Sequence, residues 1–475
     1  MSDAAPTTAA TDPTSTSEPR DDRRVDALTH EVVAAWMAGQ RWYAAKGLDP
    51  ALRLIAALEG EVDGVRVSTQ LVIDDAPSTP VLYQVPLTVR TEPVDALDEV
   101  LIATDGERWL YDGPHDAAYA RWLLGTIDGG ATVQADGASV EGQHLADIGA
   151  VTAVRVLRGE QSNTSVICDV DGGGGQVIVK VFRVLHHGDN PDVTSQAALS
   201  AGGSTRVPRS FGALRGTWPD VGRDEGTATG HLAFAQEFLP GLEDAWRVAL
   251  QAAQDGVDFT EQAHGLGQAT AEVHAVLAEQ LPTVAAGADE IASAVGSMRQ
   301  RLEVASDEVP AVAEHADAIR RIYDAAEGLE WPRLQRIHGD LHLGQAVSSP
   351  DRGWVLLDFE GEPLRPMPER SRPDVTLRDV AGMLRSFDYV AGALQHGDNP
   401  TDASGWAHDA RRAFVDGYIA ASGTDIRAQR TLLDAFEIDK AVYEAVYEAR
   451  NRPDWIGIPI AAVARLVERS APDAA

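Results

Sequence analysis

The sequence predicts an α+β chain of two lobes, the first rich in strands and the second helical, preceded by a smaller unit. Three observations predict it. Strand-like runs of alternating or continuous apolar residues are concentrated before about residue 241. After Pro240-Gly241, a chain-breaking pair, long stretches with helical periodicity take over. Late in the chain, residues 337–363 (IHGDLHLGQAVSSPDRGWVLLDFEGEP) gather acids and an amide on two polar loops joined by the apolar run WVLLDF.

The 475 residues suffice for about two or three domains. Hydrophobic content of 44% and charged content of 24% are those of a globular protein. No run of roughly 18 apolar residues exists to form a transmembrane helix. Residues 1–24 are dominated by Ala, Thr, Ser, Pro and Asp and lack a basic start with an apolar core, so they read as a disordered tail rather than a secretory signal. The single cysteine, Cys168, excludes an internal disulfide, and within SVICDV it reads as a small buried hydrophobe. A reducing cytoplasm suits this composition. A net charge of −33, from 40 basic and 73 acidic residues, argues against nucleic acid or an anionic membrane as partner.

Residues 25–112 form the first unit: a helix from about Val25 to Gly47, then antiparallel strands over 65–73 and 81–89. RWYAAKG, closing that helix, reads as a docking edge rather than as chemistry. Residues 113–240 form the second unit. It begins with one helical piece, HDAAYARWLLGTI, and Gly-rich irregular sequence, then three strands from Ala153 to Arg183 around the polar loop GEQSNTS. Gly172–Gly175, flanked by strands, reads as a hairpin turn rather than a phosphate loop. Lys180 lies inside the β-branched run VIVKVF, where an ammonium needs an anion. Ser162, Asn163 and Thr164 of the preceding loop offer hydroxyl, amide and backbone donors to phosphate. HLAFAQEFLPG runs as a strand into a linker, and its Gln236, Glu237 and Phe238 stand where a backbone could hold an adenine edge.

Residues 241–475 form the helical lobe. His264 and His274 on its helices read as ordinary surface or core histidines. Arg378 and Asp379, at the start of the helix over 375–394, could tie that helix back to the acidic loops. On the helix over 431–455, Lys440, Tyr443, Glu444, Tyr447 and Asn451 share one face, aromatic and charged together. Rings for sugar faces and charges for hydroxyls suit a carbohydrate better than a buried packing face.

The central stretch supplies what phosphoryl transfer needs: positioning, charge neutralisation and a proton acceptor. Asp340 is followed five residues later by Gln345 and 18 residues later by Asp358. This matches the spacing of the protein-kinase H-R-D-x-x-x-x-N and D-F-G motifs, with Gln for Asn and Glu for Gly. Asp340 is therefore the expected base, Gln345 and Asp358 the expected magnesium ligands, and Glu360 a supporting member of the metal shell. ATP and Mg2+ are the expected cofactors. A zinc site at His338 and His342 lacks the glutamate of H-E-x-x-H and a third ligand. A hydrolase using Asp340 and Glu360 leaves VIVK unexplained.

RWYAAKG, EQSNTSVI, VIVKVFR, NPD at 190–192, HGDLHLGQ, LLDFEGEP, LRDVAGMLRSFDY and DKAVYEAVYEARNRPDW together resemble the actinobacterial maltokinases, within the aminoglycoside-phosphotransferase-like kinases. The resemblance covers nearly the whole chain after the tail. It implies a bilobal protein-kinase-like fold with an N-terminal cap domain, and ATP-dependent phosphorylation of maltose at its anomeric hydroxyl to maltose 1-phosphate for α-glucan (glycogen) synthesis. It also implies a monomer or loose homodimer, or association with a glucan-synthesis enzyme. Asp340 matches the family's base and sugar contact, Gln345 and Asp358 its metal ligands, and Lys180 its phosphate lysine. Lys440, Tyr443, Glu444 and Tyr447 match its sugar-binding helix. In one departure, Thr194 stands where the family has a glutamate able to pair with Lys180. That leaves another acid such as Glu160 as the partner, or a differently tuned nucleotide lobe. The alternatives are a glucosamine or other hexose kinase, and a sugar-binding pseudokinase.

Overall fold

The computed structural model describes residues 23–157, 163–171, 175–220, 226–362, 365–397 and 400–470. The first unit packs helix α1 (Arg23–Ala38) with a five-stranded sheet of β1 (Leu52–Val62), β2 (Val65–Asp74), β3 (Val81–Arg90), β4 (Leu101–Thr104) and β5 (Trp109–Asp112) in the order β1-β2-β3-β5-β4. Helix α1 ends nine residues before Gly47, because the amides of Gly39 and Gln40 turn back onto the carbonyls of Trp36 and Met37. That turn carries Trp42 and Tyr43 inward, both buried. The Tyr43 hydroxyl donates to Asp74 at 2.7 Å, and the Arg183 guanidinium lies 4.7 Å over the Trp42 ring. The aromatic pair of RWYAAKG is thus core, which corrects its reading as a docking edge.

Helix α2 (Ala117–Asp128) leads into a seven-stranded sheet. Its strands are β6 (Thr132–Ala135), β7 (Ala138–His144), β8 (Val151–Val156), β9 (Asn163–Val170), β10 (Gln176–Phe182), β11 (Ser210–Pro219) and β12 (Thr227–Glu237), in the order β6-β7-β11-β12-β10-β9-β8. Helix α3 (Pro191–Ala201) connects β10 to β11. The β6–β7 hairpin occupies sequence read as irregular; β6 is a short, polar edge strand, and β7 is held by pairing with the distant β11. β9 and β10 pair antiparallel from Gln176–Asp169 to Phe182–Asn163, the hairpin expected around the glycine run, whose residues 172–174 lie outside those described. Beyond β10 the chain joins the first unit: Gln84 N donates to Arg183 O and Leu185 N to Leu82 O, each at 2.9 Å.

The helical lobe comprises α4 (Ala245–Asp255), α5 (Thr260–Gln280), α6 (Ala288–Glu308), α7 (Pro310–Ala313), α8 (Ala316–Glu327), the hairpin β13 (Ala346–Ser349) and β14 (Gly353–Leu356), then α9 (Met367–Arg370), α10 (Leu377–His396), α11 (Ser404–Ser422), α12 (Arg430–Asn451) and α13 (Gly457–Ser470). Helices α5 and α11 meet through Gly267 and Gly417. A Cβ on either glycine would fall about 2 Å from the facing backbone, so only glycine permits this approach. The lobe's core draws Leu266, Phe387, Phe414 and Ile438 from α5, α10, α11 and α12. Among the described residues no helix is long and apolar enough to cross a membrane.

Candidate active site

The turn before β13 places the expected base. Asp379, buried in the first turn of α10, accepts the amides of His338 and Gly339, each at 2.8 Å, and His274 Nε2 at 2.9 Å. Burial pushes its carboxyl up, but His274 and these amides hold it below the ordinary value. Asp379 thus ties α10 to the loop, as its sequence position suggests. Arg378 turns elsewhere, to Asp374 and Asp439. Gly339 has φ +84°, and a Cβ there would lie 3.2 Å from Gly361 Cα; glycine lets the two polar loops touch. His338 Nε2 donates to Leu357 O at 2.8 Å, a second tie between the loops.

Lys180, in the middle of β10, is buried and meets carboxylates from two directions. Its Nζ donates to Asp192 Oδ2 of α3 and to Asp358 Oδ1, both at 2.7 Å, with Glu360 Oε1 at 3.9 Å. Burial opposes the charge on Lys180, but the three acids outweigh it and hold its pKa well above the ordinary lysine value. Asp192 also accepts Phe359 N at 2.7 Å, so one carboxylate joins α3, β10 and the loop after β14. Asp358 takes φ +66°, a strained conformation for a residue with a side chain and one that gathers at functional sites. Gln345 Nε2 donates to Asp358 Oδ2 at 3.2 Å, and Asn163 Nδ2 to Glu360 Oε1 at 2.9 Å. Burial, reinforced by Asp358 and Asp192 and opposed by Lys180, pushes Glu360 up to about 7.

Oxygens of Asp192, Asp358 and Glu360 lie within 4.8 Å of one another. With the Gln345 amide beside them, this all-oxygen set fits a hard divalent cation such as magnesium.

On the other side of Asp340, α10 and α12 enclose a cavity of about 450 Å³. Lys440 Nζ donates to Asp340 Oδ1 at 2.9 Å and to buried Glu362 Oε1 at 2.8 Å, and Arg365 also holds Glu362 at 2.7 Å. Asp340, Lys440, Tyr443, Glu444 and Tyr447 line the cavity together. Asn451 does not: it is exposed at the end of α12, and its amide donates to Tyr447 O at 2.8 Å. The cavity continues one turn beyond Glu448 through Arg452, the residue next to Asn451.

The nucleotide side holds further departures. Thr164 Oγ1 is taken by Arg183 Nε at 2.8 Å, inside the sheet. Gln236 is buried, and the Glu237 carboxylate is held by both terminal nitrogens of Arg352. The amides of Glu237 and Phe238 donate to the Arg209 and Gln176 carbonyls, and Arg155 lies 5.4 Å over the Phe238 ring. Ser162 and Glu160 lie outside the described residues. Asp192 stands where another acid was expected beside Lys180. Its signal, an acid in the first turn of a helix opened by Asn190-Pro191, was visible, but its direction was not. The cavity also takes Trp246, Arg385's neighbour Tyr389, Glu448, Arg452 and Trp455, which the sequence reading did not single out. Glu448 continues the i, i+4 series of Glu444.

A strand lysine held by acids, a loop aspartate and a clustered oxygen-ligand site between a sheet-rich and a helical lobe define a phosphotransferase of the bilobal protein-kinase-like fold, here carrying an N-terminal cap. The phosphotransferase enzyme family matches residues 153–432, more than half of the chain, and the chain belongs to it. The maltokinase N-terminal cap domain matches residues 36–116. A glucosamine kinase of Streptacidiphilus jiangxiensis is 30% identical over 329 residues, 65% of this chain and 72% of that protein. One of Mycolicibacterium smegmatis (strain ATCC 700084 / mc(2)155) is 28% identical over 410 residues, 80% and 95% of the two chains. A solved glucosamine kinase in complex with glucosamine, ADP and inorganic phosphate shares the fold, with a TM-score of 0.66, 24% identity, and coverage of 91% of this chain and 98% of that one.

Proposed function

We propose that this phosphotransferase is an ATP-dependent sugar kinase that phosphorylates maltose at its anomeric hydroxyl, giving maltose 1-phosphate for α-glucan synthesis. One observation carries the reading: Asp340 lines the α10–α12 cavity while its loop abuts the Lys180 cluster, so a hydroxyl in the cavity can face a phosphate at the lysine. Asp340 accepts the hydroxyl proton as the sugar oxygen attacks the γ-phosphorus of ATP, the bond from that phosphorus to the β,γ-bridging oxygen breaks, and ADP leaves. Lys180, held by Asp192, binds phosphate oxygens. Gln345, Asp358 and Glu360, with Asp192 beside them, would hold magnesium, which supplies charge neutralisation to the phosphates. Asp192 also removes the reason for a pseudokinase, since Lys180 has its acid despite Thr194.

Tyr443, Tyr447, Trp246, Tyr389 and Trp455 offer aromatic surface around the cavity, more than one sugar ring can cover. That supports a disaccharide. The relatives named above support a second reading, glucosamine. Against an amine, each carboxylate lining the cavity already meets a cation: Asp340 with Lys440, Glu444 with Arg385, Glu448 with Arg452.

ADP release should be highest with maltose when compared with glucose, glucosamine and an aminoglycoside, and phosphorus NMR of the product should show coupling to the anomeric proton. Asp340→Asn should lose about 10²–10⁴-fold in kcat while still binding ATP. Preferred turnover of glucosamine overturns the choice of sugar, and full turnover by Asp340→Asn overturns the base.

A further inference from the structure

The two glutamates on the cavity wall are neutralised in a particular way. Arg385 of α10 donates Nε and Nη2 to the same oxygen, Oε2 of Glu444, at 2.9 and 2.8 Å. Arg385 is itself fully buried, and its Nη1 is held by Asp388 at 2.6 Å, so the guanidinium stays behind the wall. One turn along α12, Glu448 takes Arg452 Nε and Nη2 at 2.9 and 2.6 Å and the Tyr389 hydroxyl at 3.1 Å. Three carboxylates line the cavity, and three cations (Arg385, Arg452 and Lys440) stand against them. The remaining lining histidine, His342, adds no charge at neutral pH, because burial pushes its pKa down.

We propose that Arg385 and Arg452 determine the charge specificity of the sugar site: by neutralising Glu444 and Glu448 they select an uncharged sugar over an amino sugar. The inference rests on the sugar-kinase reading and assigns the selection to two residues. Glu444, bonded through one oxygen, can still accept a sugar hydroxyl with the other, whereas Arg452 engages both oxygens of Glu448, so the wall keeps part of its hydrogen-bonding capacity. It loses its attraction for an ammonium, since an ion pair gains only where the carboxylate's charge is uncompensated. An ammonium entering the cavity also faces Lys440 Nζ, a like charge beside Asp340.

The test compares wild type with Arg452→Gln and Arg385→Met. Arg452 is half-exposed at the end of α12, so its variant should fold; Arg385 is buried, so thermal melting accompanies its variant. With ATP saturating and pH just below neutral, kcat/KM is measured for glucosamine and for glucose, its neutral counterpart, and calorimetry measures the binding of each without nucleotide. The glucosamine-to-glucose ratio should rise about tenfold in either variant, in kcat/KM and in affinity. A ratio unchanged in Arg452→Gln and in folded Arg385→Met overturns the proposal alone. Wild-type protein that binds and turns over neither these sugars nor maltose sinks the sugar-kinase reading with it.

Discussion

Replacing Asp192 by asparagine tests how Lys180 is held. The carboxylate is fully buried and accepts Lys180 Nζ and Phe359 N, each at 2.7 Å. Breaking a buried ion pair costs about 3–5 kcal/mol when a charge is stranded. Lys180 is not stranded, because Asp358 Oδ1 also lies at 2.7 Å, and an asparagine carbonyl can still accept Phe359 N. What remains is one charge-assisted hydrogen bond, about 1.5–3 kcal/mol. Expressed as lost transition-state stabilisation, that is roughly a ten- to hundredfold fall in kcat/KM for ATP. Initial rates of ADP release at saturating sugar give this number, and rates at saturating ATP give the sugar KM, which should stay within about twofold. Glu160→Gln, at the acid suggested by sequence, should change neither. A larger loss in Glu160→Gln than in Asp192→Asn would refute the reasoning, because it would show Lys180 to be held from the preceding loop.

Two further outcomes follow from particular contacts. His231 is buried, with Nδ1 accepting Asn190 N at 3.1 Å; burial lowers its pKa from 6.5 to about 4, and Asp189 opposes this while Arg215 adds to it. Above pH 6.5 both folded and unfolded chains leave it neutral, but as pH falls towards 4 only the unfolded chain takes the proton, so stability drops, by about 2 kcal/mol at pH 5. His231→Gln should flatten that part of the stability curve in denaturant titrations at pH 7.5 and 5; an unchanged slope places the proton elsewhere. Asn451→Ala should leave sugar KM unchanged and stability within about 0.5 kcal/mol, since the side chain is exposed and does not line the cavity. A severalfold rise in sugar KM would return Asn451 to the site.

Much of this protein was legible where its signals are local. The helical face of Lys440, Tyr443, Glu444 and Tyr447 is a matter of 3.6 residues per turn, and the four do line one cavity. VIVKVF is β10, and the spacing from Asp340 to Asp358 does place both acids beside the cleft, through the β13–β14 hairpin between them. The β6–β7 hairpin was not legible, because β7 gains its order from β11, about 70 residues away, and β6 is an edge strand paired only with β7. Trp42 and Tyr43 were misplaced for a similar reason: the same sequence could border a partner or fold onto Asp74 and Arg183.

By itself the sequence determined the chemical inventory and its order: a strand lysine, a loop base, oxygen ligands at kinase spacing, and a ring-bearing helix. The tertiary structure decided the pairings. Among the described residues Asp192 and Asp358 hold Lys180, Lys440 bridges Asp340 and Glu362, and Arg385 neutralises Glu444. Repeat geometry tells which residues share a face of one element, but whether charges on different elements meet depends on how those elements pack. In a buried site every carboxylate must be matched, so that packing sets what charge the cavity presents to a sugar.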